Sequence, residues 1–158
     1  MGTKVGVNQR TVVHKDSNGV TLAVPDVCLT PAPPAPPIPI PYPNVARSSD
    51  TDKGAKSVTV DGNPLCHAES VFSTSTGDEA GTNKGVASGK TKGKAEFVSY
   101  SFDVKVEGKG VARALDLMLH NDKNTPPAPL IQPPLIALLP PSPDEQPKEW
   151  KPQKIEVL

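Results

Sequence analysis

At 158 residues the chain has room for one domain with a modest core and an appendage. Seventeen basic and seventeen acidic residues cancel, so no basic field points to nucleic acid or to an anionic membrane. Three Phe, two Tyr and one Trp are too few for a thick hydrophobic core, and small folds of this kind need a staple: a metal, a disulfide or a partner surface.

The opening MGTKVGVNQR lacks an apolar h-region, so the expected start is cytoplasmic, with any export by a route that needs no N-terminal signal. Residues 3–13 and 20–24 are β-prone runs joined by HKDSNG, whose Asn18-Gly19 signals a turn. Residues 31–43 follow, and eight of these thirteen positions are proline. Proline removes a backbone donor and fixes φ, which excludes a helix or a central strand and leaves an extended polyproline II rod. The run continues directly from VTLAVPDVCL and leads into PYPNVARSSD without a Gly/Ser spacer. It therefore reads as a wall or crossing inside one domain rather than a linker.

KSVTVDGNPL alternates around Asp61-Gly62, a hairpin signal. Residues 69–94 are rich in Gly, Ser and Thr, which predicts a long surface excursion with a short helix near 78–81. AEFVSYSFDVKVEGKGVAR is the strongest strand pair, with Val98, Tyr100, Phe102, Val104 and Val106 as its expected buried face. Gly108-Lys109-Gly110 turns it into VARALDLML, a strand or a short helix. After Asn124 the composition changes, with ten prolines between Pro126 and Pro152. The expected division is a mainly β domain over 1–125 and an extended Pro-rich tail over 126–158. Within the tail, LIQPPLIALL and Trp150 carry the apolar area for docking. The window 130–139 is broken by Gln132, Pro133 and Pro134 and is too short to span a bilayer, so no stable membrane insertion is expected.

Five soft donors are available: His14, Cys28, Cys66, His67 and His120. Imidazole and thiolate suit a tetrahedral zinc ion, which takes four ligands. A cytosolic start makes reduced thiols the default over a Cys28–Cys66 disulfide. Cys66 and His67 are adjacent and would point to opposite faces of a strand. There is no CxxC or HxxxH spacing, so the pattern alone does not choose ligands.

PDVCLTPAPPAPPIPIPYPNVARSSDT resembles the opening signature of the PAAR-like proteins, relatives of the tip proteins of type VI secretion systems. STGDEAGTNKGVASG, GKAEFVSYSFDVKVEGKGVAR and LDLMLHND are similar to later blocks of that family, in the same order, and together cover roughly residues 10–125. The resemblance implies a small conical β fold whose base sits on a trimeric VgrG-like spike protein and whose vertex sharpens a spike driven by a contractile sheath. It also implies a structural zinc near the vertex. His14, Cys28 and His120 match soft-donor positions of the family pattern, and Cys66 is the candidate fourth ligand, where this chain departs from it. Such a protein would stay cytoplasmic until loaded and would leave without a signal peptide. The Pro-rich tail would lie back on its own core or bind an effector or chaperone.

Two other functional classes fit parts of the sequence. The proline run could be a ligand for SH3-like or WW-like domains, making the chain an adaptor. Asp78 and Glu79 in STGDEAGT could host acid–base chemistry, but adjacent carboxylates in a Gly/Thr-rich turn more often cap or are solvated. No GxSxG, HExxH or Walker loop occurs, and GKTKGK lacks P-loop spacing. The short segment after 125 leaves no room for a fused toxin domain. The expectation is therefore a non-enzymatic tip or adaptor.

Overall fold

The computed structural model describes residues 5–133. Among these the chain is mainly β, with a 3-10 turn at Ser48–Asp50 and no α-helix. β1 (Gly6–Val7) and β2 (Arg10–Thr11) form a hairpin, followed by two strands of thirteen residues, β3 (Val20–Ala32) and β4 (Ala35–Arg47). The rest are two to four residues long: β5 (Thr51–Asp52), β6 (Thr59–Val60), β7 (Asn63–Pro64), β8 (Val71–Phe72), β9 (Ala95–Phe97), β10 (Lys105–Val106), β11 (Lys109–Gly110), β12 (Leu117–Leu119) and β13 (Ala128–Ile131). Seven of them form one antiparallel sheet in the order β4-β3-β13-β12-β9-β8-β5, while β1–β2, β6–β7 and β10–β11 pair only with each other. The expected 78–81 helix is a turn closed by the Gly81 N–H on the Asp78 carbonyl at 2.9 Å.

The proline run lies inside the domain, but as a strand rather than a polyproline II rod. β4 pairs with β3 from Arg47↔Val20 to Ala35↔Ala32. Pro39 and Pro41 stand opposite Leu29 and Val27, whose outward backbone groups bond to residues 83–86 and not to β4. In an antiparallel ladder the facing prolines therefore occupy positions whose N–H would also point outward. The alternating Pro37, Pro39, Pro41 and Pro43 lose no ladder bond, which is why proline is tolerated on this sheet edge.

A β-bulge interrupts the pairing between Ala23 and Asp26. Before it, Thr21 and Ala23 are buried; after it, Asp26 and Cys28 are. Their partners Ala46, Asn44, Tyr42 and Ile40 keep one parity along β4, so all four β3 residues share a face. The Val24-Pro25 insertion shifts the phase by one and turns the Asp26 carboxyl inward.

Other elements depart from simple alternation. Residues 3–13 do not form a hairpin with 20–24; the tight turn is at Asn8 and Gln9, both at positive φ, and Val20 pairs instead with Arg47 and Ile131. The Asp61-Gly62 hairpin forms as expected, with both residues at positive φ as a type I′ turn requires. VARALDLML supplies the strand β12.

The buried face expected for 98–106 is inverted over 97–102, where β9 ends, whereas Val106 in β10 stays partly buried against the smaller core cluster. Phe97 and Ser101 are buried, while Val98, Tyr100 and Val104 are exposed and Phe102 is 86% exposed. The cause is polar satisfaction. Ser99 Oγ donates to Asp116 and accepts the Leu117 N–H, and Ser101 Oγ accepts the Val104 N–H and reaches Asn8 and Asp103. The hydroxyl parity is drawn inward and the apolar parity is left outside.

The sheet also extends past the expected division at residue 125. β13 bridges β3 and β12, and Gln132 is fully buried, its amide donating to Thr11 and to the Val12 carbonyl and accepting from Ser17. The later tail positions, Trp150 among them, lie outside the described residues.

The larger core cluster packs Val13, Ala46, Cys66, Phe72, Ala95, Phe97, Ala112, Met118 and Leu130; Phe72 and Phe97 meet edge to face at 5.7 Å between centroids. A smaller one gathers Val12, Ala55, Val60, Leu65 and Val111. Beside them, Arg113 grips Asp116 through Nε at 3.0 Å and Nη2 at 2.9 Å, with Nη1 on Asn8 at 2.8 Å. His120, after β12, is fully buried, with Nε2 3.1 Å from Thr21 Oγ1.

Phe72→Ala removes a fully buried ring from the larger core cluster, so equilibrium urea unfolding is expected to show a loss of about 3–5 kcal/mol. His120 gives a pH signature. Burial pushes its pKa down to about 4, partly offset by the Asp26 charge. Below its ordinary value of about 6.5 the unfolded chain binds a proton that the folded one refuses, so stability is full above that pH and falls toward about 4. The loss is roughly 3 kcal/mol, and His120→Gln is expected to flatten that part of the stability–pH curve.

Candidate metal centre

Three segments distant in sequence meet over the inner face of the β3–β4 ribbon. The STGDEAGT turn docks first: Thr76 exchanges both backbone hydrogen bonds with Val45, at 2.7 and 2.8 Å. Gly77 lies so close to β4 that a Cβ there would stand 2.1 Å from the Pro43 carbonyl oxygen, at a φ of +132°. Gly81 lies against β3, where a Cβ would stand 2.3 Å from that of Cys28. Both glycines are required by contact with the proline-rich ribbon, so these two blocks of the sequence form one packed unit.

The turn after β12 supplies the third segment. Asn121 Oδ1 accepts the Gly93 N–H at 2.8 Å, and its amide donates to the Lys90 carbonyl at 2.6 Å and to Asp26 Oδ1 at 3.3 Å. Asn124 Oδ1 accepts the N–H groups of Ala87 and Ser88, while Nδ2 donates to Asp26 Oδ1 and to the Val27 carbonyl. Two asparagines thus bind residues 87–93 to β3.

At the meeting point Asp26, Cys28 and Asp78 are fully buried, with ligand-capable atoms all within 4.8 Å of one another. Cys28 Sγ lies 3.6 Å from Asp26 Oδ1 and 3.9 Å from Asp78 Oδ2. The Lys92 N–H donates to Asp78 at 3.0 and 3.2 Å. Burial, followed by the negative Asp26 and Asp78, pushes the Cys28 thiol up to about 12. Burial and the facing Asp26 carboxyl raise Asp78 to about 7, against the pull of the Lys92 N–H. Such a group can hold a metal ion, which would compensate the charge that burial disfavours.

The four ligands expected from the sequence are distributed differently. No three of His14, Cys28, Cys66 and His120 bring ligand atoms within 4.8 Å of one another. His14 is buried with both ring nitrogens engaged, Nδ1 accepting the Asp16 N–H and Nε2 3.1 Å from Asp61 Oδ2. Cys66 sits in the larger apolar cluster near Thr51 Oγ1, its thiol pushed up to about 12 by burial. His67 Nδ1 accepts the Glu69 N–H. His120 Nδ1 is buried without a hydrogen-bond partner, the other ring nitrogen facing Thr21. Only Cys28 enters the Asp–Cys–Asp group.

Sequence reasoning found Asp78 only as a candidate acid–base group and passed over Asp26, Asn121 and Asn124. Asp26 reads as a turn residue after Pro25, and only the bulge turns it inward. Asn121 and Asn124 lie in a run of polar residues, HNDKN, that looks like an ordinary exposed turn.

The family model described as the toxin PAAR-like domain matches residues 19–127, which contain every member of the group and both asparagines. The DNase toxin Tse7 of Pseudomonas aeruginosa is 42% identical over 133 residues, covering 80% of this chain and 34% of that protein. No solved structure matches the chain. The expectation of a non-enzymatic protein is overturned by the second match, because the relative is a DNase toxin. Missing motifs in this stretch exclude only the mechanisms those motifs serve. The brevity of the segment after residue 125 also decides nothing, since the chain spans about a third of the relative's length. With most of its length matched by the family model, the chain belongs to the toxin PAAR-like domain family.

Proposed function

We propose that this chain is the spike-tip module of a type VI secretion or related contractile injection system, capping a trimeric VgrG-like spike and serving delivery of a DNase-type toxin activity. The observation that carries this reading is the family match across residues 19–127, together with the direct packing of the STGDEAGT turn on the proline-rich ribbon. In this reading the protein is exported with the spike. No helix among the described residues is long and apolar enough to cross a membrane. A zinc ion would serve as a structural staple and not as a reactant.

Two features bear on how such a tip would dock. The β4 edge offers no N–H at its outward prolines, so it is poorly suited to main-chain pairing with a partner strand. The outer face of the sheet is apolar instead. Leu22, Ile131, Leu117 and Val98 are each between 38% and 54% exposed and lie on successive strands from β3 to the end of β9. Antiparallel sheets that face water usually carry polar residues there, so this row fits a covered surface. The adaptor alternative needs a free polyproline II segment, whereas residues 35–47 are paired with β3.

Mixing the protein with a trimeric spike and measuring the mass by light scattering after size exclusion is expected to give one copy per trimer. The double change Leu117→Glu and Val98→Glu should weaken that complex by about tenfold or more at unchanged thermal stability. Full-strength binding by this variant would move the interface off the outer sheet face. The toxin part of the reading is checked on supercoiled plasmid. Nicking by the purified chain that is lost with chelator places DNase activity in these residues. Target-cell DNA damage that depends on the chain, without nicking by it in vitro, places the activity on material delivered with it.

A further inference from the structure

We propose that Asp26, Cys28 and Asp78 form a buried structural site for one zinc-like, thiolate-preferring divalent cation, on a donor set different from the histidine–cysteine set that the family resemblance implies. The inference rests on the geometry of this chain and stands whether or not the tip reading does.

Four observations converge on it. All three side chains are fully buried, and among the described residues no lysine or arginine forms an ion pair with Asp26 or Asp78. Asp26 Oδ2 is buried with no hydrogen-bond partner, in a carboxylate that faces Asp78. A buried carboxylate oxygen left without a donor is costly, and a cation is a partner that satisfies it. The spacing also fits. A tetrahedral ion with sulfur at about 2.3 Å and oxygen at about 2.0–2.2 Å keeps those donors about 3.6 Å apart. The Cys28 sulfur lies 3.6 Å from Asp26 Oδ1, the oxygen that also accepts the asparagine amides, and 3.9 Å from Asp78 Oδ2. The orphaned Asp26 Oδ2 therefore belongs to the carboxylate already at ligand spacing. Finally, supporting contacts are in place. The Asn121 amide points at both Asp26 Oδ1, at 3.3 Å, and Cys28 Sγ, at 3.9 Å, and Asn124 holds the same Asp26 oxygen. Such contacts orient first-sphere ligands and hold their lone pairs toward an ion.

The donor chemistry selects the class of ion. One sulfur and two carboxylates suit zinc, cobalt(II) or iron(II), whereas calcium and magnesium need six or more oxygens or several waters. Binding is an exchange of protons for the ion. The Cys28 S–H bond breaks, its proton leaves for the buffer together with that of whichever carboxyl is protonated, and the freed lone pairs bind the cation. The site is closed to a polymer substrate, so its role is to tie the STGDEAGT turn to β3 at the point where Gly81 meets Cys28.

The test uses the full chain, stripped by chelator and titrated with cobalt(II). One equivalent is expected to produce the near-ultraviolet charge-transfer band of a cobalt–thiolate bond, and zinc should abolish the band by displacement. The band should survive in Cys66→Ser and vanish in Cys28→Ser. Absence of the band in the unaltered chain overturns the proposal, as does a band lost in Cys66→Ser but kept in Cys28→Ser. If Cys28→Ser does not fold by circular dichroism, Asp78→Asn decides. It keeps the thiol and is expected to lower cobalt affinity roughly tenfold or more, and unchanged affinity would overturn the assignment. Spike binding is read separately on the stripped protein, so failure at the metal and failure of the tip reading give different results.

Discussion

The missing N–H groups of the β4 prolines are the constraint from which the rest of this fold follows. A strand with proline at every second position can pair on one side only. β4 is therefore confined to the sheet edge, and β3 becomes its sole ladder partner. The pairing in turn decides which β3 groups look outward. Val27 and Leu29 present their free backbone groups to residues 83–86, and the Gly-rich segment is drawn along that side. Once there, the STGDEAGT turn has nowhere to lie except against the inner face of the ribbon. The proximity of Gly77 to Pro43 and of Gly81 to Cys28 is the steric record of this.

Away from the ribbon the strands are too short to satisfy the backbone by ladders, and polar side chains take over. Ser17, Ser70, Asp116, Asn121 and Asn124 each accept N–H groups from turns, and Glu107 takes three donors from Lys56 and Ser57. This is how a chain with little aromatic bulk satisfies its backbone away from the long strands. Buried amides and hydroxyls are stabilising only when fully paired, so the arrangement trades core volume for geometric exactness. The bidentate Arg113–Asp116 pair is the charged case, and it sits in a network: Asp116 also meets Arg10 at 3.6 Å and Ser99, and Arg113 also reaches Asn8.

The Asp26–Cys28–Asp78 group belongs to the same economy but lacks its completion. Asparagine amides reach Asp26 and a backbone N–H reaches Asp78, yet one Asp26 oxygen stays without a donor. A bulge, a glycine turn and an asparagine pair all place their constraints at that point. The matched relative is a DNase toxin, of which this chain covers 34%. The group itself is enclosed, which fits a role in holding the module's shape.

Much of the architecture was legible in the residues alone. The proline run had to be an extended segment that is not a central strand, and Asp61-Gly62 had to turn a hairpin, because both follow from φ restrictions local to a few residues. The family was legible too, since its blocks survive as short contiguous motifs. Tertiary structure decided what depends on distant partners. Alternation over 97–106 defines two faces but not which is buried, and hydroxyl contacts with Asn8, Asp103 and Asp116 settled that against the apolar parity. The metal-capable group was likewise invisible. Asp78 lies fifty residues from Cys28, Asp26 faces inward only because a bulge shifts the phase of β3, and no residue spacing encodes a contact between such distant segments.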